Sequence, residues 1–217
     1  GATGASGDTY AAWNWKAGGG QGSSNTDGSI NTTYTSVNAT AGLSIVKYAA
    51  TGSNATVGHG LSAVPKMILV KQLNTARDWA VYHTSMGNGN YMNLNVNGQS
   101  TSSSTHWNST TPTSSVFSIG TSNQTNENGN DYIAYCFAEK KGYSKIGGYT
   151  GNGNADGPFI YTGFKPAFVM IKVKSGNNNH WFLFDKHRLG YNADGSGNEY
   201  LKADTGDAES TNTNRID

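Results

Sequence analysis

Apolar positions in this chain come in short bursts. Stretches of four to eight residues rich in Val, Ile, Tyr, Phe and Trp lie between clusters of Gly, Asn, Ser and Thr, the spacing of strands and turns. No stretch keeps the 3.6-residue period of an amphipathic helix. The bursts predict strands near 43–49, 65–72, 79–83, 91–95, 115–120 and 131–138. In the last of these, Tyr132, Ala134, Cys136 and Ala138 alternate onto one face and Ile133, Tyr135 and Phe137 onto the other. A strand that is apolar on both faces is expected at the centre of a sheet, covered on each side. Phe168–Ile171 and Trp181–Phe184 have the same character. Six short strands joined by long polar loops predict an all-β fold, an antiparallel β-sandwich of the jelly-roll or concanavalin-like kind.

The bursts also repeat. Val64-Pro65-Lys66-Met67-Ile68-Leu69-Val70-Lys71 parallels Lys165-Pro166-Ala167-Phe168-Val169-Met170-Ile171-Lys172, with Pro65 and Pro166 standing 101 positions apart. Tyr48 answers Tyr149, Asp78-Trp79 to His83 answers His180-Trp181 to Asp185, and Tyr91-Met92 answers Tyr200-Leu201 after a longer loop. A second correspondence runs towards the start of the chain: Gly7-Asp8-Thr9-Tyr10-Ala11-Ala12-Trp13-Asn14-Trp15 resembles Gly129-Asn130-Asp131-Tyr132-Ile133-Ala134-Tyr135-Cys136-Phe137. The chain is therefore read as tandem repeats. Residues 1–16 are the terminal strand of a preceding repeat, 43–138 a complete β-sandwich repeat, and 142–217 a second repeat lacking its last strands. Residues 17–42, with Gly18-Gly19-Gly20-Gln21-Gly22-Ser23-Ser24, are expected to be a flexible Gly/Ser/Asn-rich linker.

Composition narrows the function. The 217 residues carry 13% charged side chains, about half the usual share, and 25 Asn with abundant Ser, Thr and Gly fill the gap. A net charge of +1 offers no basic surface for nucleic acid or an anionic membrane, since both require clustered Lys and Arg. The longest apolar stretches are too short to span a bilayer as a helix, and no charged-then-apolar leader opens the chain. A soluble chain is expected. One cysteine excludes a disulfide framework within the chain and a multi-cysteine zinc site.

Catalytic signals are sparse. His59, His83, His106, His180 and His187 show no metal-ligand spacing, and neither a nucleophile elbow nor a phosphate-binding loop occurs. Cys136, between Tyr135 and Phe137, is read as a packing residue. The carboxylates Asp185, Glu127 and Asp131 are candidates for a glycosidase pair only if the fold brings two together. Asn152, Asn154 and Asp156, followed by Gly157, imitate the opening of a calcium loop, but the twelfth position is Gly163 where a bidentate Glu is required. Asn192 to Glu199 is a second oxygen-rich turn. No cofactor is expected, and the metal reading stays weak. Aromatic rings stack on sugars while Asn and Asp hold hydroxyls; Trp107 and Asn108, in a polar stretch, are the carbohydrate-binding candidates. Trp79 and Trp181 alternate into strands and are expected to pack. Sequons stand at Asn31, Asn38, Asn54, Asn108 and Asn123.

Gly163 to Lys172, Trp181 to Asp185, Asp131 to Glu139, Val57 to Leu61 and Trp107 to Ser118 together resemble a tandem repeat module, a domain of unknown function, of the tail-fibre-like structural proteins of marine tailed phages. The resemblance spans nearly the whole chain apart from 17–42. It implies a β-sandwich without catalytic residues, in a virion or extracellular setting, acting as a spacer or a receptor-binding unit. The same pattern would continue through two more strands after Ile216-Asp217. Residues 1–16 carry the strand type that the second repeat lacks, so they could complete it by strand addition, either within the chain or from a neighbouring copy; the plainer alternative is that the sequence simply stops before those strands. The intermolecular form would propagate as a filament. The sequence thus points to a non-enzymatic, self-associating structural protein. A lectin-like module for a cell-surface glycan is the alternative.

Overall fold

The computed structural model describes residues 5–7, 9–154, 156–188 and 198–212. All regular structure among them is β, with no helix. Seven strands form the main sheet: β1 (Tyr34–Asn38), β2 (Leu43–Ala49), β4 (Met67–Gln72), β5 (Ala80–His83), β6 (Asn90–Asn93), β7 (Thr101–Ser102) and β9 (Asp131–Phe137). Their order across the sheet is β1-β2-β9-β4-β5-β6-β7, antiparallel throughout. β3 (Ala55–Gly58) and β8 (Val116–Ile119) pair as a separate two-stranded sheet. β10 (Phe168–Ile171), β11 (Phe182–Asp185), β12 (Asn198–Lys202) and β13 (Ser210–Asn212) form a four-stranded meander.

β9 is the middle of the main sheet. It pairs with β2 from Asp131↔Ala49 to Phe137↔Leu43, and with β4 from Tyr132↔Gln72 to Phe137↔Met67. Its Tyr132, Ala134 and Cys136 alternate onto the inner face, where all three are fully buried. There they meet Val46, Tyr48, Ile68, Val70 and Tyr82 of the same sheet, and Val57, Phe117 and Ile119 of the β3–β8 pair. Two sheets facing each other across one apolar core make the sandwich-like arrangement anticipated from the alternation.

The outer face of the main sheet is covered in part by the meander. Trp181 lies buried against Val81 and Met92, flanked by Met67, Leu69 and Met170, and its indole Nε1 donates to the Asn93 carbonyl at 2.9 Å. The expectation that Trp181 packs therefore holds. The meander keeps its own cluster of Phe182, Phe184 and Tyr200.

Residues 17–42 differ from the flexible linker expected of them. They contain β1, whose residues Tyr34 to Asn38 pair with Lys47 to Leu43, and Ile30 is buried in the core. Gly18, Gly22, Gly28 and Gly42 serve close packing. Gly22, at φ 80°, sits so near β1 that a Cβ there would lie 2.0 Å from the Thr35 carbonyl oxygen. Only a residue without a side chain permits that approach.

If the small β3–β8 sheet is a true second layer, Phe117→Ala should lower the free energy of unfolding by about 3–5 kcal/mol, the usual cost of deleting a buried phenylalanine. Urea denaturation followed by circular dichroism reads this directly, and an unchanged midpoint would show that the layer lies outside the cooperative core.

Candidate functional site

The sequence candidates separate in space. Trp107 is a core residue, 1% exposed, packed edge-on to Tyr82 at 5.8 Å between centroids. With neither ring face open, the sugar platform expected at Trp107 does not exist, and this corrects the sequence reading. Asn108 follows it in a tight turn: Asn108 and Ser109 both have positive φ, 49° and 45°, and Thr110 N donates back to the Trp107 carbonyl at 3.0 Å. Two left-handed residues in succession turn the chain sharply, which sends Trp107 inward while Asn108 stays half-buried.

The weak calcium candidates form a self-satisfied loop. Asn152 Oδ1 accepts from Asn154 N at 3.0 Å, Asn154 Oδ1 accepts from Asp156 N at 3.2 Å, and Asn152 Nδ2 donates to the Asp156 carbonyl at 2.9 Å. These are Asx turns, in which the amide oxygens of Asn152 and Asn154 are engaged by backbone N–H groups. No group of three or more His, Cys, Asp or Glu side chains converges as a metal site among the described residues. The second oxygen-rich turn lies outside the described residues except for Asn198 and Glu199.

Three histidines are structural parts. His59 is fully buried, its Nδ1 accepting from Leu61 N at 3.2 Å and its Nε2 within 3.2 Å of the Thr113 carbonyl. Nε2 therefore carries the proton. His106 stacks on Tyr91 at 3.6 Å and bonds Ser103, Gln124 and Ser122. His83 Nδ1 lies 2.8 Å from Ser85 Oγ. Burial lowers the pKa of all three, and Lys174 lowers His83 further. Cys136 is fully buried, and burial pushes its thiol far up, away from the reactive thiolate. Of the carboxylates, Glu127 accepts from Gln72 and Arg77, Asp131 pairs with Lys47, and Asp185 binds Trp13, Arg188 and His187 N. Each has its own partners, and no two of the three are paired with each other.

Two surface features remain. One is an open polar depression of about 380 Å³ lined by Ala76, Arg77, Asp78, Asn95, Asn123 and Gln124. Asp78 anchors it, accepting from Asn95 Nδ2 at 2.7 Å and Asn93 Nδ2 at 3.3 Å. The other is the segment 143–161, where Tyr143, Tyr149, Phe159, Ile160 and Tyr161 are all exposed, Phe159 by 89% and Tyr161 by 77%. Residues 157–161 form no strand or helix. The sequence gives Phe159-Ile160-Tyr161 as an apolar run, the signal by which this surface was findable; only the structure shows it uncovered. The depression had no such signal, because its residues come from three separate loops.

The chain matches, over residues 1–217, a family described as a domain of unknown function, and it belongs to that family, DUF7483. No curated protein and no solved structure matches it.

The three lowered histidine pKa values fix a pH dependence. Each group binds its proton more readily in the unfolded chain, whose ordinary value is 6.5, so stability is complete above that pH and is lost as pH falls below it. The urea midpoint should stay level from pH 8 to about 6.5 and decline towards pH 5. A flat profile would contradict the buried, neutral state assigned to His59, His83 and His106.

Proposed function

We propose that this member of the DUF7483 family is a non-enzymatic structural module of a virion fibre or comparable extracellular filament, and that it associates with copies of itself. One observation carries the reading. Phe159, Ile160 and Tyr161 stand exposed in succession, and an uncovered apolar run of this kind in a stable fold marks a contact surface. The remaining surface supports it. Asn, Ser, Thr and Gly dominate the loops, and the buried histidines and Cys136 serve packing. The resemblance to tail-fibre-like proteins supplies the setting, a virion or extracellular location, with no nucleic acid and no membrane among the partners.

Burying one large side chain in a contact contributes about 1.5–3 kcal/mol, and 1.4 kcal/mol is tenfold in affinity. Phe159→Ser with Tyr161→Ser should therefore raise the concentration needed for self-association by at least about tenfold. Sedimentation velocity with electron microscopy of the same samples measures it. A chain that stays monomeric at every concentration would overturn the reading.

The polar depression favours a second reading, a carbohydrate-binding module. Asp78, Asn95, Asn123 and Gln124 supply the donors and acceptors that hold sugar hydroxyls, with Arg77 at the rim. On a glycan array the chain should then bind a sugar and lose it in Asp78→Ala, while Trp107→Phe retains it; no binding to any glycan would remove this reading.

A further inference from the structure

In the main sheet, β4 is flanked by β5 on one side and β9 on the other. β10 has the matching sequence, and β11 beside it matches β5, with Phe168↔Asp185 pairing as Met67↔His83 does. On its other side β10 is the end of its sheet among the described residues, with no strand assigned in the place that β9 takes beside β4. An edge of this kind presents a row of open N–H and C=O groups that accept an added strand.

The residues nearest that edge come from the start of the chain. Trp13 and Trp15 both pack on Phe168, each at 5.5 Å between centroids. Trp13 Nε1 donates to Asp185 Oδ2 at 3.0 Å, and the Arg188 guanidinium lies 5.8 Å from the Trp13 ring. The following residues are tied to the outer face of the main sheet. Asn38 Nδ2 donates to the Lys16 carbonyl, Ser36 Oγ donates to the Gly20 carbonyl, and 16–21 lie over Ile45, Lys47 and Ile133. The chain start therefore runs in the same layer as the meander, beside β10.

The pattern of that segment resembles the pattern of β9. Tyr10, Ala12 and Asn14 stand where β9 has Tyr132, Ala134 and Cys136, and Trp13 and Trp15 stand where it has Tyr135 and Phe137, each 122 positions apart. β9 places Phe137 opposite Met67. Carried to the second sheet, that register places Trp15 opposite Phe168 and Asn14 opposite Val169. The structure has both tryptophans on Phe168; in that register Trp15 is the direct partner and Trp13 the diagonal one, a separation aromatic side chains bridge. The two tryptophans then share the face of Phe168 and Met170, and Ala12 falls on the opposite face, where β9 has a fully buried alanine.

We infer that residues 9–15 add to the open edge of β10 as an antiparallel strand of the same chain, Trp15 opposite Phe168, doing for the second sheet what β9 does for the first. Residues 9–15 are unpaired in the structure; the side-chain contacts described hold them against Phe168, and the inferred backbone ladder would complete the docking. This goes beyond the assembly reading and does not depend on it, because the occupant is the chain's own segment and not a second copy.

The test pairs cysteines that leave the tryptophans and Phe168 in place. Asn14→Cys with Val169→Cys sets the two thiols at positions that are cross-strand partners in the inferred register, as Cys136 and Ile68 are in the main sheet. Asn14→Cys with Ile171→Cys is the register control. Cys136 is fully buried and stays a spectator. Under mild oxidation the 14–169 pair should close within one chain, at least tenfold faster than 14–171, as seen on non-reducing gels and by peptide mass mapping. Equal rates, no closure, or closure only between chains would overturn the inference. Should the double variants fail to fold, the unaltered chain decides by NMR. Cross-strand Hα contacts between 12–15 and 168–171 support the strand, and their absence overturns it.

Discussion

Everything in the main sheet depends on β9. It is the only strand that joins β1-β2 to β4-β5-β6-β7, and it does so with partners far away in the chain, seven aligned pairs to β2 and six to β4. Its inner face joins the two halves of the core, because Ala134 stands opposite Val46 on one side and Val70 on the other, and Cys136 opposite Ile68, all buried in one cluster. A larger residue at Ala134 would push against a layer already closed by Phe117 and Ile119. Tyr48, paired with Tyr132 of β9, is fully buried in that core, whereas its sequence counterpart Tyr149, in the loop before β10, is 51% exposed.

Polar side chains do much of the work that charged and apolar residues do elsewhere. Asn126, fully buried, is satisfied on every side: its Oδ1 accepts from Thr51 N and Gly52 N, and its Nδ2 donates to the Ser53 and Gly120 carbonyls. Tyr48 and Tyr132 reach from the sheet to the carbonyls of Thr125 and Asn123 in the same loop. Amides and hydroxyls that meet their partners in this way cost little to bury, while one left unpaired costs its full desolvation. A composition that reads as loop and linker thus folds into pinned, specific turns.

This explains what the sequence showed and what it hid. The aromatic and β-branched bursts placed β2, β4, β5, β6, β8 and β9 within about two residues of their observed ends, because alternation against a core is a local pattern. β1 (Tyr-Thr-Ser-Val-Asn) and β7 (Thr-Ser) escaped notice because their residues also suit turns. β3 carries a single strongly apolar residue, Val57. Gly18 and Gly22 looked like freedom and proved to be close approach to β1, while Gly19 and Gly20 between them stand in open space. Trp107 looked exposed because Ser and Thr surround it. Its inward aim is set by two left-handed residues that follow it and by Tyr82 across the core, neither of which a window of sequence contains.

The main sheet is therefore organised by one central strand. Native-state hydrogen exchange tests that claim most directly, since it resolves the free energy of opening strand by strand. The amides of β9 should exchange as slowly as any in the chain, together with those of β2 and β4, and well behind the edge strands β1 and β7. Exchange in β9 as fast as in β1 would contradict the account.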